Sequence, residues 1–365
     1  MTRRTFMRLL AAATAGTACA SVPSPRSAGG GRRGAPTITG VNWFGFETSL
    51  FAPHGLWARN WQDMLAQIAH AGFNCIRLPF SNQLFDPQSA PGGIDFNRNP
   101  DLKGLSGIQL MDRIVVGAAR RGLAILLDRH RPTADAQSEL WYTDRVSEQR
   151  WIDDWLMLAS RYRQQPAVIG ADLHNEPHGP ATWGDGNPQT DWRLAAERAG
   201  NAILEANPDW LIVVEGVERV EGDSYWWGGN LAGAGAAPVR LSRPAQLLYS
   251  AHDYGPDVYP QPWFQSAGFP ANLEAVWRKH WAYLPIVLVG EFGGRSVGTD
   301  PEGVWQRSLV EFLKRNRFGY TYWAWNPDSG DTGGLLKDDW QTLDQAKLDL
   351  LAGYQAPRLE QVRAG

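Results

Sequence analysis

From residue 38 onward the chain alternates short apolar runs with amphipathic stretches about one helix long. The runs ITGVNWFG (38–45), FNCIRLPF (73–80), LAILLDRH (123–130), VIGADLHNEP (168–177), WLIVVEGV (210–217), LLYSAHDY (247–254), PIVLVGEFG (285–293) and GYTYWAWNP (319–327) read as strands. They are nearly continuous in apolar residues, as strands buried on both faces must be. Between them a helical period covers Trp61 to Ala71, Ile108 to Arg121, Ser147 to Gln164, Trp192 to Asn207, Val304 to Asn316 and Leu343 to Leu351. Strand–helix alternation of this length predicts a parallel sheet. Eight repeats predict that the sheet closes, giving an α/β (β/α)8 TIM barrel in a single domain over 37–355 with a short tail at 356–365. A doubly wound open sheet is the rival, but no Gly-rich phosphate loop follows the first strand.

The polar positions break the pattern in one place, the C-terminal tips of the strands. There the sequence has Arg77, His130, Asn175 with Glu176, His252 with Tyr254, Glu291 and Trp323, where the preceding residues are apolar. Ionised groups are expelled from a buried strand unless they are paired. Any one such end could be a self-satisfied structural network; a set of them calls for a common cause. In a (β/α)8 barrel these tips converge on one face, where active sites are built. Two carboxylates among them, on the fourth and seventh strands, are the minimum needed to hydrolyse a glycosidic bond.

The N-terminus follows another grammar. MTRRTFMRLLAAATAGTACA pairs Arg3 with Arg4, continues through a modest apolar stretch and closes on Ala18-Cys19-Ala20, the layout of a signal peptide over 1–20. The twin arginine predicts export by the Tat route, to the periplasm or the outside. The apolar stretch is too short to remain as a membrane span. Lipidation of Cys19 is the alternative, although GTAC lacks the Leu usually found before such a cysteine. Residues 21–36, rich in Gly, Arg, Ser and Pro, read as a flexible linker. If Cys19 leaves with the peptide, only Cys75 remains and no intramolecular disulfide can form.

Composition narrows the function further. A net charge of −3 with scattered arginines offers no cationic field for nucleic acid. Eighteen tryptophans are several times the usual share, and flat indole faces suit sugar rings as well as cores. Trp226 and Trp227 beside Gly228 and Gly229 lie in a loop-like stretch, so an all-core explanation fits poorly. No HExxH or other metal spacing occurs, so neither metal nor cofactor is expected.

The strings IRLPF, LDRHRP, LHNEPHG, EGV, SAHDY, GEFGG and WAWNPDSGDTGG, in this order, resemble family 5 glycoside hydrolases of clan A, and more narrowly the catalytic domains of secreted bacterial endo-1,4-β-glucanases. The resemblance covers about Thr37 to Tyr354. It implies Glu176 as general acid/base and Glu291 as nucleophile, with Arg77, His130, Asn175, His252, Tyr254 and Trp323 around them. Physical logic agrees: Arg77 and Tyr254 are placed to donate to Glu291 and lower its pKa, while a second carboxylate nearby raises that of Glu176. Asn175 is suited to the sugar 2-hydroxyl.

Trp57, Trp226, Trp227, Tyr259 and Trp323 could stack on successive glucosyl rings, which implies a cleft for a chain. YWWGGN (225–230) and NPDSGDTGGLLKDDW (326–340) favour β-1,4-glucan. The loop ATWGDGNP (181–188) lacks the cysteines of secreted relatives, which leaves its rigidity open. No further module follows residue 355, so soluble or amorphous glucan is the expected substrate. The expectation is a secreted, monomeric endo-1,4-β-glucanase acting on β-glucan, with no nucleic-acid partner and no membrane attachment unless Cys19 is lipidated. A mannanase, an exo-acting glucosidase and a non-catalytic carbohydrate-binding protein are the alternatives.

Overall fold

The structure, a computed structural model, describes residues 37–358; the segments read as signal peptide and linker, and most of the C-terminal tail, lie outside them. Eight strands run β1 (Thr39–Asn42), β2 (Cys75–Ser81), β3 (Ala124–Arg131), β4 (Val168–Asp172), β5 (Leu211–Glu215), β8 (Leu247–His252), β9 (Val287–Glu291) and β10 (Gly319–Tyr322). All pair in parallel and close into a barrel in the order β1-β10-β9-β8-β5-β4-β3-β2. The remaining two, β6 (Arg219–Val220) and β7 (Asp223–Ser224), form a small antiparallel hairpin in the long loop after β5.

Helices α1 (Trp61–His70), α2 (Gly107–Ala119), α3 (Glu148–Arg161), α4 (Trp192–Ala206), α5 (Leu273–His280) and α6 (Pro301–Asn316) connect barrel strands, and α7 (Gln345–Ala352) follows the last of them. Their starts are written in the sequence. Asn60, Ser106, Ser147, Asp191, Asp300 and Asp344 each accept a backbone N–H of the first turn. Such caps contribute about 1 kcal/mol apiece. The helix α5 and the β6–β7 hairpin are the elements that hydrophobic period does not reveal, being short and polar.

Alternation along the strands explains where the site sits. Ile38, just before β1, with Cys75, Ala124, Leu126, Val213 and Leu288, from strands on opposite sides of the barrel, form one cluster apart from the main core. Only the barrel interior can bring them together. Two residues further along β2, β3 and β5, on the same inward face, stand Arg77, Asp128 and Glu215. The interior thus changes from apolar to charged between one layer and the next. Outward-facing Ile76, Leu78, Ile125, Leu127, Ile212 and Val214 instead join the main core.

Strand ends are shorter than the apolar runs suggest. β4 stops at Asp172, and Glu176 sits beyond it with φ of 51°, a left-handed conformation no strand can continue through. The tryptophans divide differently as well: Trp43, Trp141, Trp151, Trp155, Trp192, Trp281, Trp305 and Trp325 are core, each less than 2 % exposed. The loop 181–188 needs no cysteine, because buried Asp191 accepts the N–H groups of Gly184 and Gly186 at 3.0 and 2.9 Å and Trp183 donates to the carbonyl of Ala237 at 2.9 Å.

Candidate active site

Arg77 organises the C-terminal mouth of the barrel. Its guanidinium, without exposed surface, lies 2.5 Å from Glu291 Oε1, 2.8 Å from Asp172, 3.0 Å from Glu215 and 3.1 Å from Asp128. It also donates to the side-chain oxygens of Asn42 and Asn175 at 3.0 and 2.9 Å. Glu291 takes its second hydrogen bond from the Tyr254 hydroxyl, at 2.7 Å. Both oxygens of Glu291 are therefore held by the two donors expected of Arg77 and Tyr254.

Glu176 is held from the other side. Oε1 meets His252 Nδ1 at 3.0 Å and Oε2 accepts Gln137 Nε2 at 2.8 Å. Its backbone N–H donates to Glu215 Oε2 at 2.7 Å, and its carbonyl meets His178 Nδ1 at 2.6 Å. A carboxylate oxygen of Glu176, a ring nitrogen of His252 and a carboxylate oxygen of Glu291 all lie within 4.8 Å of one another. In β8 and β9 a register shift after Ala251 sets His252 opposite Glu291, which is how the ring reaches both glutamates.

The charges distribute differently from the expectation. Burial raises Glu291 even against His252 and Arg77, whereas a lowered pKa is what its donors alone predict. For Glu176 burial works upward, but the hydrogen bond and charge of His252, with help from Gln137, outweigh it and hold the carboxyl below its usual value. His252 itself would be lowered by burial, yet Glu215, Glu291 and Glu176 surround it and hold it well above the usual imidazole range. The reversal at Glu176 comes from this imidazolium and the one at Glu291 from burial, and strand-end positions alone disclose neither. Burial pushes Asp128 and Glu215 up to about 7 and Asp172 to about 6, and lowers His130 to about 4.

The remaining candidates line an open cleft of about 870 Å³ over these groups. Trp323 lies nearly parallel to the rings of His130 and Phe44, at 5.3 Å from each. Trp227 stacks one face on His178 at 3.8 Å and is 46 % exposed, while Tyr259 is 60 % exposed. Trp226, beside them, is buried and tilts edge-on toward Tyr254. Trp57 is not brought into this lining; it packs edge-on against Trp340 at 4.9 Å, one ring beyond His54. The Nδ2 of Asn175 is buried without a protein partner, a donor free for a ligand.

Sequence reasoning gave no site role to Asp128, Asp172, Glu215 and Gln137. Asp128 and Glu215 had a legible signal, each standing two residues after an inward-facing apolar residue of its strand. Gln137 had none, since it reaches Glu176 from an irregular loop. Asp128, Asp172 and Glu215 bring oxygens close enough to hold a cation, but the guanidinium of Arg77 already bonds to all three.

This architecture has close counterparts. The chain is 56% identical over 329 residues to an endoglucanase of Paenibacillus polymyxa, covering 88% of this chain and 83% of that one. It is 44% identical over 324 residues to the major extracellular endoglucanase of Xanthomonas campestris, covering 86% of this chain and 66% of that one. Among solved structures, an endocellulase of Pyrococcus horikoshii in complex with cellotetraose is 46% identical with a TM-score of 0.83, over 87% of this chain and 92% of that one. The model of the family described as cellulase (glycosyl hydrolase family 5) matches residues 33–329, a span that takes in every strand from β1 to β10. With its barrel intact along that whole match, the chain belongs to the cellulases of glycosyl hydrolase family 5.

Proposed function

We propose that the protein is a retaining endo-1,4-β-glucanase in which Glu291 is the nucleophile and Glu176 the general acid/base. The observation that carries this reading is the proximity of the two glutamates, with oxygens within 4.8 Å at the floor of an open cleft. Retaining glycosidases hold their carboxyl groups about 5–5.5 Å apart, and inverting ones about 6.5–9.5 Å, to leave room for a water.

In the first step Glu291 attacks the anomeric carbon while Glu176 protonates the departing glycosidic oxygen. Arg77 and Tyr254 fix the plane of the Glu291 carboxylate, and burial, by raising its basicity, makes it the stronger nucleophile. The proton for Glu176 belongs to the Glu176–His252 pair, since the two groups share one hydrogen bond at 3.0 Å. A glycosidic oxygen arriving at Glu176 excludes water and draws that proton onto the carboxyl. In the second step Glu176, ionised again, takes a proton from the water that releases the sugar from Glu291. The unpaired Nδ2 of Asn175 supports a role for this residue as donor to the sugar 2-hydroxyl.

The test is a product profile on carboxymethyl-cellulose, mixed-linkage glucan, xyloglucan and mannan, with the anomeric configuration followed by NMR. Internal cleavage of β-1,4-glucan with retained configuration is expected. Mannan as the preferred substrate, or inverted products, would overturn the reading.

The exposed aromatic rings yield a second expectation. Trp227 keeps one indole face open and Tyr259 projects into the cleft, so each supplies a platform for a sugar ring. Changing either to Ala is expected to weaken binding of long cello-oligosaccharides about tenfold, or 1.4 kcal/mol, with an unchanged melting temperature. Calorimetric titration checks this; a drop in stability at unchanged affinity would return the residue to a packing role.

Export is proposed from the N-terminal segment alone, with β-glucan outside the cytoplasm as the substrate. No helix among the described residues is long and apolar enough to cross a membrane. Replacing both Arg3 and Arg4 by Lys is expected to leave the full-length protein inside the cell, as fractionation and immunoblotting would show. Continued export would argue against the Tat route.

A further inference from the structure

We infer that Glu215 is a positioning residue for the reaction: a buried carboxylate at the end of β5 that ties the backbone of Glu176, the guanidinium of Arg77 and the ring of His252 into one arrangement, and thereby keeps a proton available to Glu176. This rests on the reading of Glu176 as general acid/base.

The geometry is specific. Glu215 has no exposed surface and cannot touch substrate from its place below the cleft. Its Oε2 accepts the backbone N–H of Glu176 at 2.7 Å, the residue held in the left-handed region with φ of 51°. Its Oε1 accepts Arg77 Nη2 at 3.0 Å, the same guanidinium that grips Glu291. One carboxylate therefore joins the nucleophile's support to the acid's. Gly228, with φ of 66°, closes over this point: a Cβ there would collide with Glu215 Oε2 and lie 3.1 Å from the Cα of Glu176.

The ring of His252 completes the argument. Nδ1 faces Glu176 Oε1 at 3.0 Å and Glu291 Oε2 at 3.6 Å, while Nε2, without a hydrogen bond of its own, faces Glu215 Oε1 at 3.3 Å. A neutral imidazole carries one N–H; a ring with carboxylates at both nitrogens is best satisfied with two. The other charged groups around it are Asp128 on β3 and Asp172 on β4, which add to the negative field, and Arg77 on β2, which opposes it. His130, also on β3, is kept neutral by burial. Asp128 and Asp172 each spend their charge on Arg77, so Glu215 is the carboxylate outside the catalytic pair that reaches the far side of the ring.

Glu215→Gln and Glu215→Asp separate charge from reach. The glutamine keeps the shape and removes the charge, which lowers the affinity of His252 for its proton. The pair then loses its proton at lower pH, and the alkaline limb of kcat/KM on cellopentaose is expected to move down by about one pH unit. On an aryl cellobioside with an activated leaving group, which needs no proton in the first step, kcat/KM should fall less than on cellopentaose, by about tenfold less at pH values above the shifted limb, since one pH unit is worth about tenfold. The aspartate keeps the charge but not the reach, so it should restore the alkaline limb while kcat remains reduced. Histidine-labelled NMR of the wild-type protein gives an independent reading: His252 should stay doubly protonated above pH 7. A wild-type ring that titrates near 6.5, or a glutamine variant that loses activity equally on both substrates with its alkaline limb in place, would overturn the proposal. Failure of the underlying reading looks different: Glu176→Ala would then show no dependence on the leaving group.

Discussion

Glu291→Ala should abolish hydrolysis on every substrate, with kcat/KM falling at least about 10⁴-fold, or about 5.5 kcal/mol of transition-state stabilisation. The reason is local. Glu291 is the carboxylate gripped by Arg77 on one oxygen and Tyr254 on the other, and no neighbouring group can take its place without leaving those donors unpaired. Asp128 and Asp172 are closest in chemistry, but both are spent on Arg77 beneath the cleft. Truncation also leaves Arg77 with one negative partner fewer in a site that has little water to replace it. The fold should survive, because the barrel's apolar layers do not involve the residue. Steady-state kinetics together with circular dichroism would check both halves. A variant that retains a tenth of its activity would remove Glu291 from the nucleophile's role.

Glu176→Ala should behave differently, and the difference identifies its role. Natural glucans, whose leaving oxygen needs a proton, should lose about 10³-fold or more in kcat/KM, within the 10²–10⁴-fold usual for general acid–base catalysis. An aryl cellobioside with an activated leaving group should still glycosylate Glu291, then stall because no base activates water. Azide, small enough for the space the carboxylate vacates beside His252 and Gln137, should attack the anomeric carbon and restore turnover. Its product should keep the β configuration, the result of two displacements. Azide rescue of Glu291→Ala with a β product of two displacements, and of Glu176→Ala with the inverted product of one, would exchange the two assignments.

How far the sequence reaches depends on the kind of information involved. The eight barrel strands and six of the seven helices are legible because burial on both faces and an amphipathic period are properties of consecutive residues. The helix Leu273–His280 escapes, being eight residues long with Arg278, Lys279 and His280 in its last turn. Strand ends blur for a related reason. In β4 the apolar period passes smoothly into Leu173, and only the backbone turn at Glu176 shows that the strand has ended.

The sequence by itself determined the class of barrel and the face on which the chemistry gathers, because both are carried by spacing along the chain, while the pair Glu176 and Glu291 came from the resemblance to the family. Tertiary structure alone decided how those glutamates are charged. His252 is 76 residues from Glu176 in the chain yet bonded to it at 3.0 Å, and Arg77 reaches Glu215 across 138 residues. It also decided that Trp57 packs against Trp340, outside the cleft lining, while Trp227 is part of it, although both are tryptophans in loops. Electrostatic coupling depends on distance and on the water excluded between groups, and closing a barrel sets both at once. No local pattern encodes them, so the protonation of the site exists only once the strands have met.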